Sequence, residues 1–152
     1  MKTTTYKNLN VFLGGVCGNT TWRETIAIPA FEEAGIKYFN PQLPPGTWTP
    51  EASSIEMEAK NNADCWLFVI DGSTRAIASL VEASWAIGRF KNIVLVINDV
   101  SQTLEDGTVL SPSEMKDLNR GRHYLKEVAL AAGYEVFDLI SDAVKCCCEM
   151  KS

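Results

Sequence analysis

Apolar positions fall into five short, nearly unbroken runs, separated by longer stretches in which polar residues are mixed in. The runs are "LNVFLGG" (9–15), "IKYFNP" (36–41), "DCWLFVID" (64–71), "NIVLVIND" (92–99) and "YEVFDL" (134–139). Runs this short, bounded by Gly35, Gly133 and Asp or Asn, predict strands. Their continuous apolar character fits parallel strands covered on both faces. The stretches between them predict helices. Thr20–Ala34 is the first, with Pro29 either kinking it or marking its real start. Pro50–Asn62 opens with proline at a first-turn position and Glu51 near the positive helix end. Ala76–Arg89, Ser113–Ala132 (capped by Ser111 or Ser113) and Ser141–Met150 complete the series.

Strict alternation of strand and helix predicts an α/β fold, a doubly wound five-stranded parallel sheet with helices on both faces. Right-handed crossovers leave few arrangements, and the flavodoxin-like or Rossmann-like order 2-1-3-4-5 is the one expected. No repeat or linker divides the chain, so residues 1–152 read as one domain. Ligands of such sheets bind at the carboxyl ends of the strands. That rule selects four loops: Gly14–Thr21, Asn40–Pro50, Asp71–Arg75 and Asn98–Pro112.

Composition narrows the function classes. Net charge is −5 with scattered Lys and Arg, which disfavours a nucleic-acid polymer as partner. No apolar run approaches the ~20 residues of a membrane span, and the polar start "MKTTTYKN" predicts a chain that is not exported. Five cysteines, three of them adjacent (Cys146–Cys148), do not form a disulfide pattern. The triplet reads either as buried thiols on an amphipathic helix or as an acylation target. The single histidine, His123, has no ligand partner nearby in sequence, so no metal is expected. These features together predict a reduced, cytoplasmic protein.

Each selected segment admits a structural and a functional reading. In "GGVCGNTTWRE" the glycines Gly14 and Gly15 allow a ligand close to the backbone, or simply make a tight turn. Asn19, Thr20 and Thr21 offer polar contacts or a cap, and Arg23 a phosphate or hydroxyl partner or a solvated charge. The loop matches neither a dinucleotide fingerprint nor a P-loop. Trp48, in "NPQLPPGTWTP", either stacks on a planar base or packs. Glu56 lies with Ala52 and Ala63 on one side of its helix, away from Ile55 and Ala59, where small neighbours would open it to a cavity. Glu82, in "SLVEASWAIG", has Ala78, Ser79, Trp85 and Ala86 as its helical neighbours, none of them a cation. A structural role would require a partner elsewhere, because an unpaired buried charge is costly.

Taken in order, "VFLGG", "NPQLPPGTW", "E-x-x-x-K-x-x-A-D" (Glu56–Asp64), "CWLFVID" and "S-x-x-E-A" (Ser79–Ala83) resemble the nucleoside 2-deoxyribosyltransferase-like superfamily over roughly residues 9–100. That group includes deoxyribosyltransferases and deoxynucleoside 5'-monophosphate N-glycosidases. The resemblance implies Glu82 as the nucleophile at the anomeric carbon and Glu56, where aspartate is usual, as the acid assisting the leaving base. It implies Gly14, Gly15, Asn19, Thr21, Arg23, Trp48, Asp71 and Ser79 as the substrate cradle. It also implies a nucleoside or nucleotide as ligand, no cofactor, and a homodimer in which the partner's Asn119, Arg120 or Arg122 can reach the site. Phe12 replaces a tyrosine, and Ala76 an acid or serine, so the chain resembles a divergent branch. A non-catalytic nucleotide-binding module is the alternative. A flavodoxin-like electron carrier ranks last, for want of a Ser/Thr-rich phosphate loop.

Overall fold

The computed structural model describes residues 4–44, 46–90 and 92–152. The polar leader Met1–Thr3 and Pro45 of the proline loop therefore lie outside the described residues. Five strands form: β1 (Asn10–Gly15), β2 (Lys37–Phe39), β3 (Cys65–Ile70), β4 (Ile93–Ile97) and β5 (Glu135–Phe137). All pairings are parallel, in the order β2-β1-β3-β4-β5, as expected. The two central runs, β3 and β4, are buried along their whole length, which explains why their sequences do not alternate.

The helices are α1 (Ile28–Ala34), α2 (Pro50–Asn62), α3 (Ile77–Ala86), α4 (Pro112–Ala131) and α5 (Ile140–Glu149). The expected helix at Thr20–Ala34 is instead two pieces, a π-helical turn over Arg23–Ala27 followed by α1. Pro29 supplies the reason: it has no N–H to donate, and the amide of Ile28 bonds five residues back to the Arg23 carbonyl. Ser111 is the cap of α4, in a reciprocal capping box with Glu114. The third helix starts one residue later than its pattern suggests, because Ala76 is left-handed (φ 55°) and stands as its N-cap.

Connection direction decides which face each helix covers. The step from β1 back to β2 puts α1 on one face, where it packs with α5 over Leu13, Leu67, Val69 and Val96. The forward steps put α2, α3 and α4 on the other, over Phe12, Trp66, Phe68 and Leu95. Helices α2 and α3 thus share a face, and both start at the carboxyl edge of the sheet. In α5 Cys147 is fully buried with its sulfur 4.0 Å from that of Cys65, while Cys146 and Cys148 are half-buried. The triplet therefore packs as a helix face. No described helix is long and apolar enough to cross a membrane.

Candidate active site

Helix α2 buries one residue, and it is a lysine. Lys60 holds its ammonium over the rings of Phe12 and Trp66, 5.5 and 6.0 Å from their centroids. At its tip it meets two carboxylates. Glu56, one turn earlier on α2, is 3.0 Å away, and Glu82 reaches it from α3. Burial works against the charge of Lys60, but the bonds its ammonium donates to Glu82 and Glu56 outweigh it and hold its pKa above the ordinary lysine value. Glu82 therefore does have a protein cation, contrary to what its helical neighbours suggest. The partner is on the adjacent helix.

Beside this cluster lies a cavity of about 410 Å³. Its walls are Phe39, Asn40, Pro41 and the proline loop on one side, and Ala52, Ile55 and Glu56 of α2 on the other, with Trp48 and Cys17 at its rim. Ile55 and Glu56 thus face the same space, where the sequence pattern separates them. Phe39 stacks on Phe12 with centroids 5.8 Å apart, and Phe12 tilts against Trp66 at 5.3 Å. The result is a row of rings behind the cavity wall, running from Phe39 to the Lys60 ammonium. Gln42 fastens the proline loop to the first loop, its amide donating to the carbonyls of Cys17, Gly18 and Thr20 at 3.0–3.2 Å. Ser79 is buried one turn before Glu82. The Cys17 thiol has a raised pKa, chiefly through desolvation, with Glu56 and Glu82 adding and Arg23 and Lys60 opposing.

Other residues expected in the cradle take different places. Arg23 is fully buried, and donates from Nε to the Leu13 carbonyl (3.1 Å), from Nη1 to Val16 (3.1 Å) and from Nη2 to Gly15 (3.2 Å). Its guanidinium braces the loop from beneath and has no surface left for a phosphate. Arg122 does the same for the loops after β3 and β4, donating to the carbonyls of Asp71, Asn98 and Thr74 at 2.6–2.8 Å. Being fully buried, it cannot reach a partner's site. Asn119 accepts from the Val100 amide at 2.7 Å, and Arg120 is exposed beside His123 and Tyr124. Asn19, Thr21 and Asp71 line a separate cavity of about 450 Å³ with Trp22 and Ile140, toward the α1–α5 side. The glycines serve the sheet: a Cβ on Gly14 would lie 2.3 Å from the Phe68 ring, and one on Gly15 (φ +115°) 2.2 Å from the Val69 carbonyl.

Lys60 and Gln42 are the residues that sequence reasoning missed. For Lys60 a usable trace existed, since it is the only cation in Pro50–Asn62 and stands four residues after Glu56. Among the described residues no three of His, Cys, Asp and Glu converge as a metal site requires.

Comparison with known proteins adds the following. The family model described as nucleoside 2-deoxyribosyltransferase-like matches residues 8–100. No curated protein sequence matches the chain. Among solved structures, a conserved protein from Enterococcus faecalis V583 is similar at TM-score 0.55 and 14% identity, covering 91% of this chain and 96% of that one. The TIR domains of the activated Roq1 resistosome, which recognises the pathogen effector XopQ, are similar at TM-score 0.50 and 19% identity, covering 94% and 97%. At these identities the two structures speak for the fold alone.

Proposed function

The chain belongs to the nucleoside 2-deoxyribosyltransferase-like family, and from that premise we propose that it cleaves or exchanges the N-glycosidic bond of a nucleoside. Glu82 is the nucleophile and Glu56 assists the departing base. The observation that carries this reading is the convergence of the two carboxylates, from two helices, on one ammonium, with Glu56 also lining the adjoining cavity. Breaking the C–N bond leaves positive charge on the anomeric carbon, which a carboxylate stabilises or captures as an ester. The bond electrons leave with the base, whose nitrogen takes a proton from a water molecule that the Glu56 carboxylate orients by accepting its hydrogen bond. Water at the anomeric carbon then releases Glu82 and makes a hydrolase; a second base makes a transferase.

Among the described residues lining the cavity none is a cation, while Arg23 and Lys60 are engaged by protein groups. This favours an uncharged nucleoside over its 5'-monophosphate. Trp48 and Phe39 are the aromatic surfaces for the base. The chain pairs with a second copy through α3 and α4, a reading supported by exposed Ile77, Val81 and Trp85 at four-residue spacing and by Tyr124 and Val128. Free thiols throughout fit a reducing cytoplasm.

The test is a panel of ribo- and deoxyribonucleosides and their 5'-monophosphates, each with and without a second free base, followed by chromatography of the bases. Release or exchange that Glu82→Gln abolishes is expected, with nucleosides preferred. A non-catalytic binding module is the second reading, favoured by the ion pair that Glu82 already makes with Lys60. Thermal stabilisation by a nucleoside without turnover would select it.

A further inference from the structure

We infer that Lys60 is a positioning residue: its ammonium holds Glu56, which lines the cavity, and Glu82 of the neighbouring helix as two carboxylates side by side. The inference rests on the glycosidic reading only for its effect on turnover. Three features carry it. The amine has a place apart from either acid, because its ammonium lies over the rings of Phe12 and Trp66 and the side chain is only 10% exposed. The Lys60 carbonyl is held too, accepting from the Trp66 indole at 3.1 Å. The two acids come from different helices and meet at Nζ, so the same ammonium joins α2 to α3 at the site.

Electrostatics gives the arrangement its consequence. Two carboxylates brought to one partly buried place repel, and without a cation one of them retains a proton. A protonated Glu82 is no nucleophile. Lys60 between them offsets this repulsion, and with both acids ionised the three groups together carry a single negative charge. Forming a glycosyl ester at Glu82 removes that charge and leaves Lys60 paired with Glu56. The site is then neutral while the sugar is bound. The other titratable or charged groups near this cluster are Cys17 of the first loop and Arg23, whose fields reach Glu56; β1 and β3 present only the rings of Phe12 and Trp66.

The experiment compares wild type, Lys60→Met and Lys60→Met/Glu82→Gln by thermal unfolding from pH 5 to 8, with NMR titration of ¹³C-labelled glutamate carboxylates. In Lys60→Met one folded-state glutamate pKa is raised above its unfolded value. The variant therefore loses unfolding temperature relative to wild type progressively as pH rises through that value. One carboxylate is expected to titrate at least one pH unit later than in wild type, and the double variant to lose most of this pH dependence. A Tm loss that is constant across pH, with no displaced carboxylate, would overturn the proposal and leave Lys60 a packing residue.

If Lys60→Met does not fold, ¹⁵N titration of the Lys60 amine in wild type and Glu82→Gln decides instead. A lower pKa in Glu82→Gln is expected, and an unchanged one overturns the coupling. On any nucleoside the wild type turns over, Lys60→Met is expected to lose kcat by at least about tenfold with KM within about twofold. A loss confined to KM contradicts positioning. Should the wild type turn over no nucleoside, the glycosidic reading fails while the titration still decides the role of Lys60.

Discussion

Replacing Gly14 by alanine separates two explanations of the glycine pair at the end of β1. From the sequence alone, small residues beside a binding loop suggest clearance for a ligand. In the structure the space above Gly14 belongs to Phe68, whose Cδ2 and Cε2 atoms lie 2.3 and 2.5 Å from where a Cβ would stand. Phe68 is fully buried, paired in register with Gly14 across the sheet and stacked 6.5 Å from Trp66. The ring therefore has nowhere to swing. Overpacking of this kind costs about 1–3 kcal/mol, which for a domain of this size corresponds to a fall in Tm of about 2–12 °C. The cost is relieved if the ring is made smaller. In a double-mutant cycle Gly14→Ala and Phe68→Leu should show a favourable coupling of about 1–2 kcal/mol, measured by urea unfolding. If Gly14→Ala unfolds at the wild-type temperature, or if Phe68→Leu gives no relief, the sheet-packing explanation is refuted and ligand clearance regains its place.

Two further outcomes follow from local geometry. Ser111→Ala removes the side-chain half of the α4 capping box and should cost about 1 kcal/mol, or ~2–4 °C in a thermal melt. Glu114 supplies the other half: the Ser111 amide holds its carboxyl below the ordinary range. That contribution is complete above the unfolded glutamate value and disappears as pH falls through the folded one, so the stability gap to Glu114→Gln should close in acid. Among the thiols, Cys17 should be alkylated first in the native protein, slowly at pH 7 and about tenfold faster per pH unit until its raised pKa is passed. Cys65 and Cys147 are sealed and Cys146 is pushed up to about 11, so mass mapping that found any of them modified first would contradict the described packing.

The parts of the fold that depend on periodicity and connection were legible in the sequence. Unbroken apolar runs such as Cys65–Ile70 give buried parallel strands, and alternation gives the order of the sheet. The boundaries at Pro29 and Ala76 were less so, since they depend on single missing donors and one left-handed residue. The site was legible at Glu82 and Glu56 as candidates but not in their relation. Helical neighbour rules look three and four residues along one helix, whereas the ammonium that meets Glu82 is twenty-two positions away. Crossover handedness already places α2 and α3 on the same face, and scanning across that face would have found Lys60. Arg23 and Arg122 misled for a converse reason. An arginine in a loop or on a basic helix looks available, yet each is buried and donates to backbone carbonyls of the folded loops. Only coordinates reveal that.

The proposal that Glu82 forms a bond to the sugar is tested most directly by trapping. A 2-deoxy-2-fluoro nucleoside slows the departure of sugar from a glycosyl ester, and peptide mapping by mass spectrometry then locates it. The expected result is one sugar residue added to the peptide carrying Glu82, stoichiometric with base released and absent in Glu82→Gln. Base release with the sugar on Glu56 or Cys17, or with no adduct while turnover continues unchanged in Glu82→Gln, would contradict it.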